Sequence, residues 1–342
     1  MKIAVDAMGG DFAPQNIVSG AVLASEEYGQ EIILVGDQER IELELKKHHL
    51  KNASIEIFHC SQVVEMGESV THALRKKTGS SIHQAAKLVK DGKASAIVTA
   101  GNTAAAVAVS MLTLGVLKGV LRPALALVIP TPKKGPSVIL DVGATVDCKP
   151  IQLVQFGIMG QYYASEVLGI KKPRVGLLSI GEEENKGNEV TREAFKLMKD
   201  ADNLNFEGNV EGRQIFDGSV SVIVCDGFIG NLVLKASESI AETMLRFLKQ
   251  EFKRNVGRRI AAMLAKPALK ILFRRLNWSE YGGAPLLGLN GIVIIGHGRS
   301  NQNAVKNAIR VARESYENRV NERIQKNLSV AANSPKVRQA GV

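Results

Sequence analysis

Six glycine-containing turns carry most of the side chains that could do chemistry in this chain. Each turn follows a short run of β-branched residues and holds an acid, an amide, a lysine or a histidine. Glycine lets a backbone approach a ligand closely, and the free N–H groups of a following helix suit an anion such as phosphate. A single turn of this kind is more often an ordinary loop with an N-cap, but six together favour a polar binding site. The candidate binding residues in these turns are Asp6, Gly9, Gly10, Asp11, Gly101, Asn102, Thr103, Asp141, Gly143, Gly181, Asn188, Asp226, Gly227, Gly230, Gly298 and Ser300.

One lysine, one amide and one histidine in these turns are the candidates for direct participation in a reaction: Lys186, Asn231 and His297. No protein nucleophile accompanies them. The sequence lacks a G-x-S-x-G elbow, and the apolar flanks of Cys148 and Cys225 favour buried packing over reactivity. Such a site suits a reaction in which a substrate supplies the nucleophile while the protein orients it and neutralises charge.

Several classes of protein are disfavoured by the motifs that the sequence lacks. It has no G-x-x-x-x-G-K-[ST] motif, and no G-x-G-x-x-G follows a strand, which disfavours nucleotide hydrolases and Rossmann dehydrogenases. No His/Cys spacing is typical of a metal site, so we expect neither a metal nor another cofactor. Aromatic residues make up only 5% of the chain, which disfavours nucleic acid as a partner. Three widely spaced cysteines favour a reducing cytoplasm, and no apolar run of about 18 residues predicts a membrane span.

Short strands alternate with amphipathic helices along almost the whole chain. This pattern predicts an α/β fold with a largely parallel sheet sandwiched by helices. The carboxyl ends of parallel strands meet at one edge, where such folds bind ligands, so we expect the glycine turns to gather there. The predicted strands are Lys2–Met8, Glu31–Gly36, Ser54–Cys60, Ala94–Ala100, Ala124–Ile129, Ser137–Val142, Arg174–Ile180, Val220–Cys225 and Ile292–Ile295, and the predicted helices include Pro14–Tyr28, Gln38–His49, Ile82–Asp91, Thr103–Leu117 and Ile151–Leu168.

The chain of 342 residues has no linker rich in Pro, Gly or Ser, so we predict one catalytic α/β domain over residues 1–320. Residues 321–342 are predicted to form a polar, helix-poor tail. From about residue 237 to 277, apolar residues recur every four positions, which predicts a helix with an apolar stripe. Pro267 interrupts this stripe and predicts a projecting helical hairpin whose two helices meet near that proline.

The turns and their flanking strands resemble bacterial phosphate acyltransferases of the PlsX type, also called acyl-ACP:phosphate acyltransferases. The resemblance covers roughly residues 1–320 and rests on the segments VDAMGGDFAP, AGNT, LDVGATVDCKP, IGEEENKGNE, GNVEGR, VCDGFIGN, YGGAPLLGLNG and IIGHGRS. Two positions depart from the family's usual pattern. Ala104 stands where glycine is usual, and Thr145 stands where asparagine is common.

The resemblance implies transfer of a fatty acyl group from acyl carrier protein (ACP) to inorganic phosphate, giving an acyl phosphate for phospholipid synthesis. It also implies a fold similar to phosphate acetyltransferases and isocitrate-dehydrogenase-like enzymes, a homodimer, and peripheral association with the membrane. Phosphate would then attack the thioester directly, with Lys186 neutralising charge on phosphate or on the oxyanion. Asn231 and Asn102 would orient the reactants, and His297 would shuttle a proton or support its loop. Two alternatives stay open: a phosphate acetyltransferase that uses a short acyl-CoA, and a non-catalytic peripheral membrane-binding protein.

Almost all of the net positive charge lies in the predicted hairpin. The whole chain carries +10, and the stretch from Arg246 to Asn277 carries +9, with ten Lys or Arg residues against one Glu. This segment could be a solvated helix pair or dimer contact, a dock for the acidic ACP, or a foot on an anionic membrane. We favour the membrane foot, because apolar residues accompany the cations. The candidate contact residues are Arg258, Arg259, Met263, Leu264, Lys266 and Lys270.

Overall fold

The computed structural model describes residues 1–132, 135–276 and 281–331, and within these ranges the chain forms two sheets flanked by helices. The strands are β1 (Lys2–Asp6), β2 (Glu31–Gly36), β3 (Ile55–His59), β4 (Ala96–Thr99), β5 (Ala124–Leu125), β6 (Leu127–Ile129), β7 (Ser137–Leu140), β8 (Val175–Leu178), β9 (Phe206–Val210), β10 (Val222–Val224), β11 (Ala284–Leu287) and β12 (Ile292–Ile295). The helices are α1 (Gln15–Tyr28), α2 (Gln38–Leu45), α3 (Val70–Lys76), α4 (Ser81–Lys90), α5 (Thr103–Leu114), α6 (Pro150–Glu166), α7 (Glu189–Lys199), α8 (Gln214–Asp217), α9 (Gly227–Lys253), α10 (Val256–Leu276), α11 (Gln302–Glu317) and α12 (Val320–Ala331).

The larger sheet has seven strands in the order β3-β2-β1-β4-β12-β11-β5. The first five run parallel, and β11 is antiparallel to both of its neighbours. Alternate residues of these strands pack on opposite faces, against α1 and α11 on one side and α4 and α5 on the other. Because β1, β4 and β12 are parallel neighbours, the turns that follow them lie at the same edge.

The smaller sheet has five strands in the order β6-β7-β10-β8-β9, of which β7, β10, β8 and β9 are parallel. Helices α6, α7 and α12 pack on one face. On the other face, Ile139 and Ile223 belong to the same hydrophobic cluster as Ile97 and Val293 of the larger sheet. The two sheets therefore share a core, and the turns after β7, β10 and β8 lie together at the carboxyl edge of the smaller one.

The predicted fold class is confirmed, and β2 (Glu31–Gly36) and β12 (Ile292–Ile295) have their predicted bounds. The predicted strand Ala124–Ile129 is divided, because the chain leaves the larger sheet after β5 and enters the smaller one at β6. The sequence did not predict β9 or β11. Their sequences, FEGNV and APLL, contain Gly, Asn and Pro, which are uncommon inside strands.

The predicted projecting helices are present, but the prediction that they meet near Pro267 is wrong. Helix α9 ends at Lys253, α10 begins at Val256, and Pro267 lies inside α10. Asn255 marks the boundary, because its side-chain oxygen accepts a hydrogen bond from the Arg258 N–H at 2.9 Å, as an N-cap does. No residue from 231 to 270 is buried, so both helices project into solvent. Within the described ranges, no helix is long and apolar enough to cross a bilayer. Residue 277, at the end of the predicted hairpin, lies outside those ranges.

The prediction of a helix-poor tail after residue 320 is wrong for its first part. Helix α12 continues to Ala331, and its apolar side chains Ile324 and Leu328 are buried against the smaller sheet's core. Val320, Ile324 and Leu328 are spaced four residues apart, as on one face of a helix. This spacing predicts a helix, but the polar residues around it led to the prediction of a helix-poor tail. Residues 332–342 of the predicted tail lie outside the described part of the chain.

Candidate active site

The turns after β1, β4 and β12 pack backbone against backbone at the edge of the larger sheet. The Asp11 N–H donates to the Gly298 carbonyl oxygen at 2.8 Å. A Cβ atom on Gly9 would lie 2.8 Å from the Gly101 nitrogen, closer than side chains allow. These glycines are therefore needed for the approach of the turns to one another, and Gly10, with φ +113°, also adopts a conformation that favours glycine.

Asp6 lies beneath these turns as a buried acid. Its carboxylate accepts hydrogen bonds from Thr99 Oγ1 at 2.7 Å and from the Met8 N–H at 3.2 Å. Burial raises the pKa of Asp6, and these bonds, with one from Ser81, oppose the rise. Asp6 therefore supports the turn from below, with only 3% of its surface exposed.

Asn102 uses both ends of its amide to connect two loops. Its oxygen accepts from the Ala105 N–H at 3.0 Å and caps α5, while its Nδ2 donates to the Met66 and Glu68 carbonyl oxygens at 3.0 and 2.9 Å. In the structure, Asn102 therefore positions the loop at residues 66–68 against the start of α5. The adjacent Thr103 is exposed at the first position of α5, and Ala104 beside it is exposed as well.

Asp141 holds the loop after β7. Its Oδ1 accepts from the N–H groups of Leu125, Gly143 and Ala144 at 2.7 to 3.2 Å, and its Oδ2 accepts from the Thr145 N–H at 2.5 Å. The residue is fully buried, and burial raises the pKa of Asp141 to about 6 against the four backbone bonds, which lower it. Asp141 thus fixes the backbone of residues 141–145 from inside.

Asp226 begins α9 and ties it to the same loop. Its Oδ1 accepts from the Phe228 N–H at 2.8 Å, as an N-cap, and its Oδ2 accepts from the Cys148 N–H at 3.1 Å. A Cβ atom on Gly227 would collide with the Thr145 carbonyl oxygen, and one on Gly230 would collide with that of Asp141. Glycine is therefore required at both positions for α9 to start this close to the loop.

Asn231 follows on the exposed surface of α9 beside Gly143. A Cβ atom built on Gly143 would lie 3.6 Å from Asn231 Cβ and 3.9 Å from its Oδ1. Gly143 has φ +129°, a conformation that favours glycine. The amide of Asn231 and the backbone of the 141–145 loop are thus presented together at this edge.

Lys186 lies in the loop after β8, the strand next to β10. Its side-chain stem rests on Gly181, whose Cβ position would be 3.0 Å from Lys186 Cγ. Lys186 is exposed, and among the described residues its ammonium makes no hydrogen bond or ion pair. Asn188 ends the loop by capping α7, accepting from the Thr191 N–H at 2.9 Å. Because β8 and β10 are parallel neighbours, Lys186 shares an edge with Asn231.

His297, in the turn after β12, approaches α9 at a point beyond Asn231. Its Nε2 is 3.9 Å from Glu238 Oε1, and Arg299 Nη1 is 3.4 Å from Glu242 Oε1. Seven residues separate Asn231 from Glu238, a rise of about 10 Å along a helix. Ser300, close by, is buried, and its hydroxyl has no partner among the described residues. The structure therefore places Lys186 and Asn231 at the same edge of the smaller sheet, and His297 among the turns of the larger sheet.

The cysteines are buried free thiols, as their apolar flanks predicted. Burial raises the pKa of Cys148 to about 12 and raises the pKa of Cys225 well above its ordinary value. The thiolate is the nucleophilic form, so neither sulfur is prepared for attack near neutral pH. Within the ranges described, no group of three or more His, Cys, Asp or Glu side chains could hold a metal ion.

Sequence reasoning missed a set of exposed apolar side chains around the start of α9. They were not predicted because none belongs to a long apolar run: Ile180 lies between Ser179 and Gly181, and Phe228 and Ile229 lie between two glycines. The signal that could have found them is the absence of charge over residues 227–234, the first two turns of α9. The exposed apolar side chains are Val146, Ile180, Phe228, Ile229 and Leu232.

Comparison of the structure with solved structures finds phosphotransacetylases. The Streptococcus pyogenes phosphotransacetylase matches with a TM-score of 0.60 at 17% identity, covering 93% of this chain and 94% of that one. EutD phosphotransacetylase from Staphylococcus aureus gives a TM-score of 0.59 at 16% identity, covering 92% and 94%. At these identities the likeness concerns the fold alone.

Sequence comparison gives a closer match. The model of a family described as "Fatty acid synthesis protein" matches residues 1–323. "Phosphate acyltransferase" of Pelotomaculum thermopropionicum is 54% identical over 328 residues, covering 96% of this chain and 95% of the relative. "Phosphate acyltransferase" of Aquifex aeolicus is 49% identical over 330 residues, covering 96% and 97%.

Proposed function

The chain belongs to the phosphate acyltransferase family of fatty acid synthesis proteins, and we propose that it moves a fatty acyl group from ACP to inorganic phosphate. The product is an acyl phosphate for phospholipid synthesis. The observation that carries this proposal is that three features lie at one edge of the smaller sheet: Lys186, an exposed cation without a partner in the described ranges, the exposed amide of Asn231, and the glycine loop at Gly143 beside it. This grouping suits a small anion that must be held beside a polarised carbonyl.

The proposed reaction is a direct attack of phosphate on the thioester. A phosphate oxygen forms a bond to the carbonyl carbon, the C–S bond breaks, and the carrier's sulfur leaves as a thiol after taking a proton. Phosphate at neutral pH already carries anionic oxygens, so its attack requires placement and charge neutralisation above all. Lys186 holds the phosphate or the oxyanion, Asn231 orients the carbonyl, and backbone N–H groups of the glycine loops stabilise the tetrahedral intermediate. The raised pKa values of Cys148 and Cys225 support direct attack over an acyl-cysteine intermediate.

The test compares two donors. The purified protein is incubated with palmitoyl-ACP or acetyl-CoA, with and without phosphate, and thiol release is measured. We expect phosphate-dependent release from palmitoyl-ACP that greatly exceeds that from acetyl-CoA. Acetyl-CoA is the second donor because the fold is similar to that of phosphotransacetylases. A preference for acetyl-CoA would make the protein a phosphate acetyltransferase. Phosphate-independent release from both donors would reject both functions.

A peripheral contact of α10 with an anionic membrane is part of the proposal. Met263 is 69% exposed and Leu264 80% exposed, and neither has a neighbour that covers it in the described part of the chain. Four cations, Arg258, Arg259, Lys266 and Lys270, are exposed on the same helix. Apolar side chains with adjacent cations are what an anionic lipid surface attracts, and the acyl phosphate product is itself an amphiphile.

A second copy of the chain is the other proposed partner. Helix α9 carries a long exposed apolar stripe on one flank, formed by Ile229, Ile240, Met244 and Phe247. Exposed apolar surface of this length usually marks an interface, so this flank supports a homodimer.

A further inference from the structure

Four exposed apolar side chains, here called the apolar rim, surround the first turn of α9: Val146, Ile180, Phe228 and Leu232. They are 54%, 83%, 60% and 58% exposed, respectively. Large side chains such as Ile180 are stabilising when buried and cost free energy when they face water. An apolar ligand that covers the rim would therefore gain affinity from this exposed surface.

The four side chains come from three segments that lie at the same edge of the smaller sheet. Strands β8 and β10 are parallel neighbours with Val224 paired to Leu177, so the segments that follow them leave the sheet at the same edge, Ile180 in one and Gly227 in the other. On the other side, the Gly227 N–H donates to the carbonyl oxygen of Thr145 at 3.0 Å, which brings Val146 to the same point. Phe228 and Leu232 are four residues apart and therefore lie on the same flank of α9.

The rim is adjacent to the proposed reacting groups and has a definite end. Ile180 immediately precedes Gly181, on which the Lys186 stem rests, and Leu232 immediately follows Asn231. Beyond Leu232, the same flank of α9 continues with Lys235 and Ser239, both exposed and polar. The rim is thus a short apolar path that starts at the site and stops about two helical turns along α9.

We propose that the apolar rim binds the first part of the donor's fatty acyl chain and so makes the enzyme prefer long acyl groups. This inference rests on the proposed function, because it takes the acyl donor from it. An acyl chain is apolar, as the rim is, and its binding there would leave Lys186 and Asn231 free to contact phosphate and the thioester. A second copy of this chain seated on the rim would bury Lys186, which makes no ion pair among the described residues, and would exclude the substrates.

The test is the preference between a long and a short donor. Ile180→Asn and Leu232→Gln make the rim polar without altering a group that touches phosphate. Leu43→Gln is the matched control, because Leu43 is 60% exposed on α2 and belongs to no part of the site. For each protein, kcat/KM is measured with palmitoyl-ACP and octanoyl-ACP at saturating phosphate, together with the KM for phosphate and the sedimentation coefficient.

We expect each rim variant to lower the palmitoyl-to-octanoyl ratio of kcat/KM about tenfold, through the palmitoyl value, with an unchanged KM for phosphate. The Leu43→Gln protein should keep the wild-type ratio. An unchanged ratio in both rim variants overturns the inference while leaving the proposed function intact. Equal losses on both donors with a changed sedimentation coefficient also overturn it, and assign the rim to a second copy instead. If the wild-type protein forms acyl phosphate from neither donor, the proposed function fails first and the inference fails with it.

Discussion

Replacing Lys186 with Ala should separate catalysis from stability more cleanly than any other single change in the site. Lys186 is exposed, and its ammonium makes no hydrogen bond or ion pair within the described ranges, so folding gains little from it. Surface substitutions of this kind change the free energy of unfolding by about 0.5 kcal/mol or less. The same ammonium, placed beside a phosphate or an oxyanion, acts where charge develops in the transition state.

The expected loss follows from removing one preorganised charge. Removal of a single oxyanion-stabilising donor typically costs a factor of about 100 to 1,000 in kcat, or about 2.7 to 4 kcal/mol. We expect a loss of this size for Lys186→Ala and a smaller loss for Lys186→Arg, which keeps the charge but changes its position. Gly181→Ala should also lower kcat, because a new Cβ would lie 2.8 Å from Glu183 Oε2 and 3.0 Å from Lys186 Cγ and would crowd both side chains.

The assay is phosphate-dependent thiol release from palmitoyl-ACP, with thermal unfolding followed in parallel. Lys196→Ala is the matched control, because Lys196 is an exposed lysine on α7 outside the loop and its loss changes the net charge equally. Near wild-type turnover in Lys186→Ala would refute the role of this ammonium. An equal loss of turnover in Lys196→Ala would show that only the general charge of the surface matters.

Three further changes test other parts of the structure. Burial raises the pKa of Asp141 to about 6, above its ordinary value of 3.8, so the stability this group contributes is present below about pH 4 and lost as pH rises through 6. Urea unfolding of Asp141→Asn should therefore show a pH 4 to 7 difference in the free energy of unfolding that is smaller than the wild type's by about 2 kcal/mol. An unchanged difference would place the titration elsewhere. Replacing Cys148 and Cys225 together with Ala should leave kcat within about tenfold, a barrier change of about 1.4 kcal/mol or less, whereas an acyl group found on either sulfur by mass spectrometry would establish a covalent intermediate. Changing Met263 and Leu264 to Glu should release the protein from anionic vesicles in a flotation assay with turnover of acyl-ACP in solution unchanged; binding that persists while turnover collapses would assign α10 to the carrier protein or the dimer.

The strand pattern predicted most of the fold because it depends on local properties of the sequence. Apolar runs such as EIILVG in β2 are unambiguous. The six glycine turns do lie at the carboxyl ends of their strands, but they are divided between the edges of two sheets instead of gathering at one. The predicted helix boundary at Pro267 was wrong because proline in an exposed helix removes a hydrogen bond that water can replace, whereas the Asn255 cap fixes the actual boundary. The division of the predicted single strand into β5 and β6 depends on contacts between distant segments, which local patterns do not contain.

The candidate site was predicted by residue type but not by role. The acids Asp6, Asp141 and Asp226 lie at the expected strand ends, yet each uses its carboxylate to hold backbone or hydroxyl groups of its own turn and of a neighbouring segment. Sequence cannot distinguish an acid that binds a ligand from one that caps a turn, because both occur beside glycine after a strand. The placement of Lys186 and Asn231 at the same edge depends on the order of strands in the smaller sheet, which only the folded structure gives.

The measurement that tests the central claim most directly is the identity of the product. The protein is incubated with palmitoyl-ACP and inorganic phosphate labelled with heavy oxygen, and the products are determined by mass spectrometry. Direct acyl transfer predicts palmitoyl phosphate that carries the label, formed in equal amount to the ACP thiol released. Palmitate as the only acyl product, or thiol release that does not depend on phosphate, would contradict the assignment of phosphate as the nucleophile.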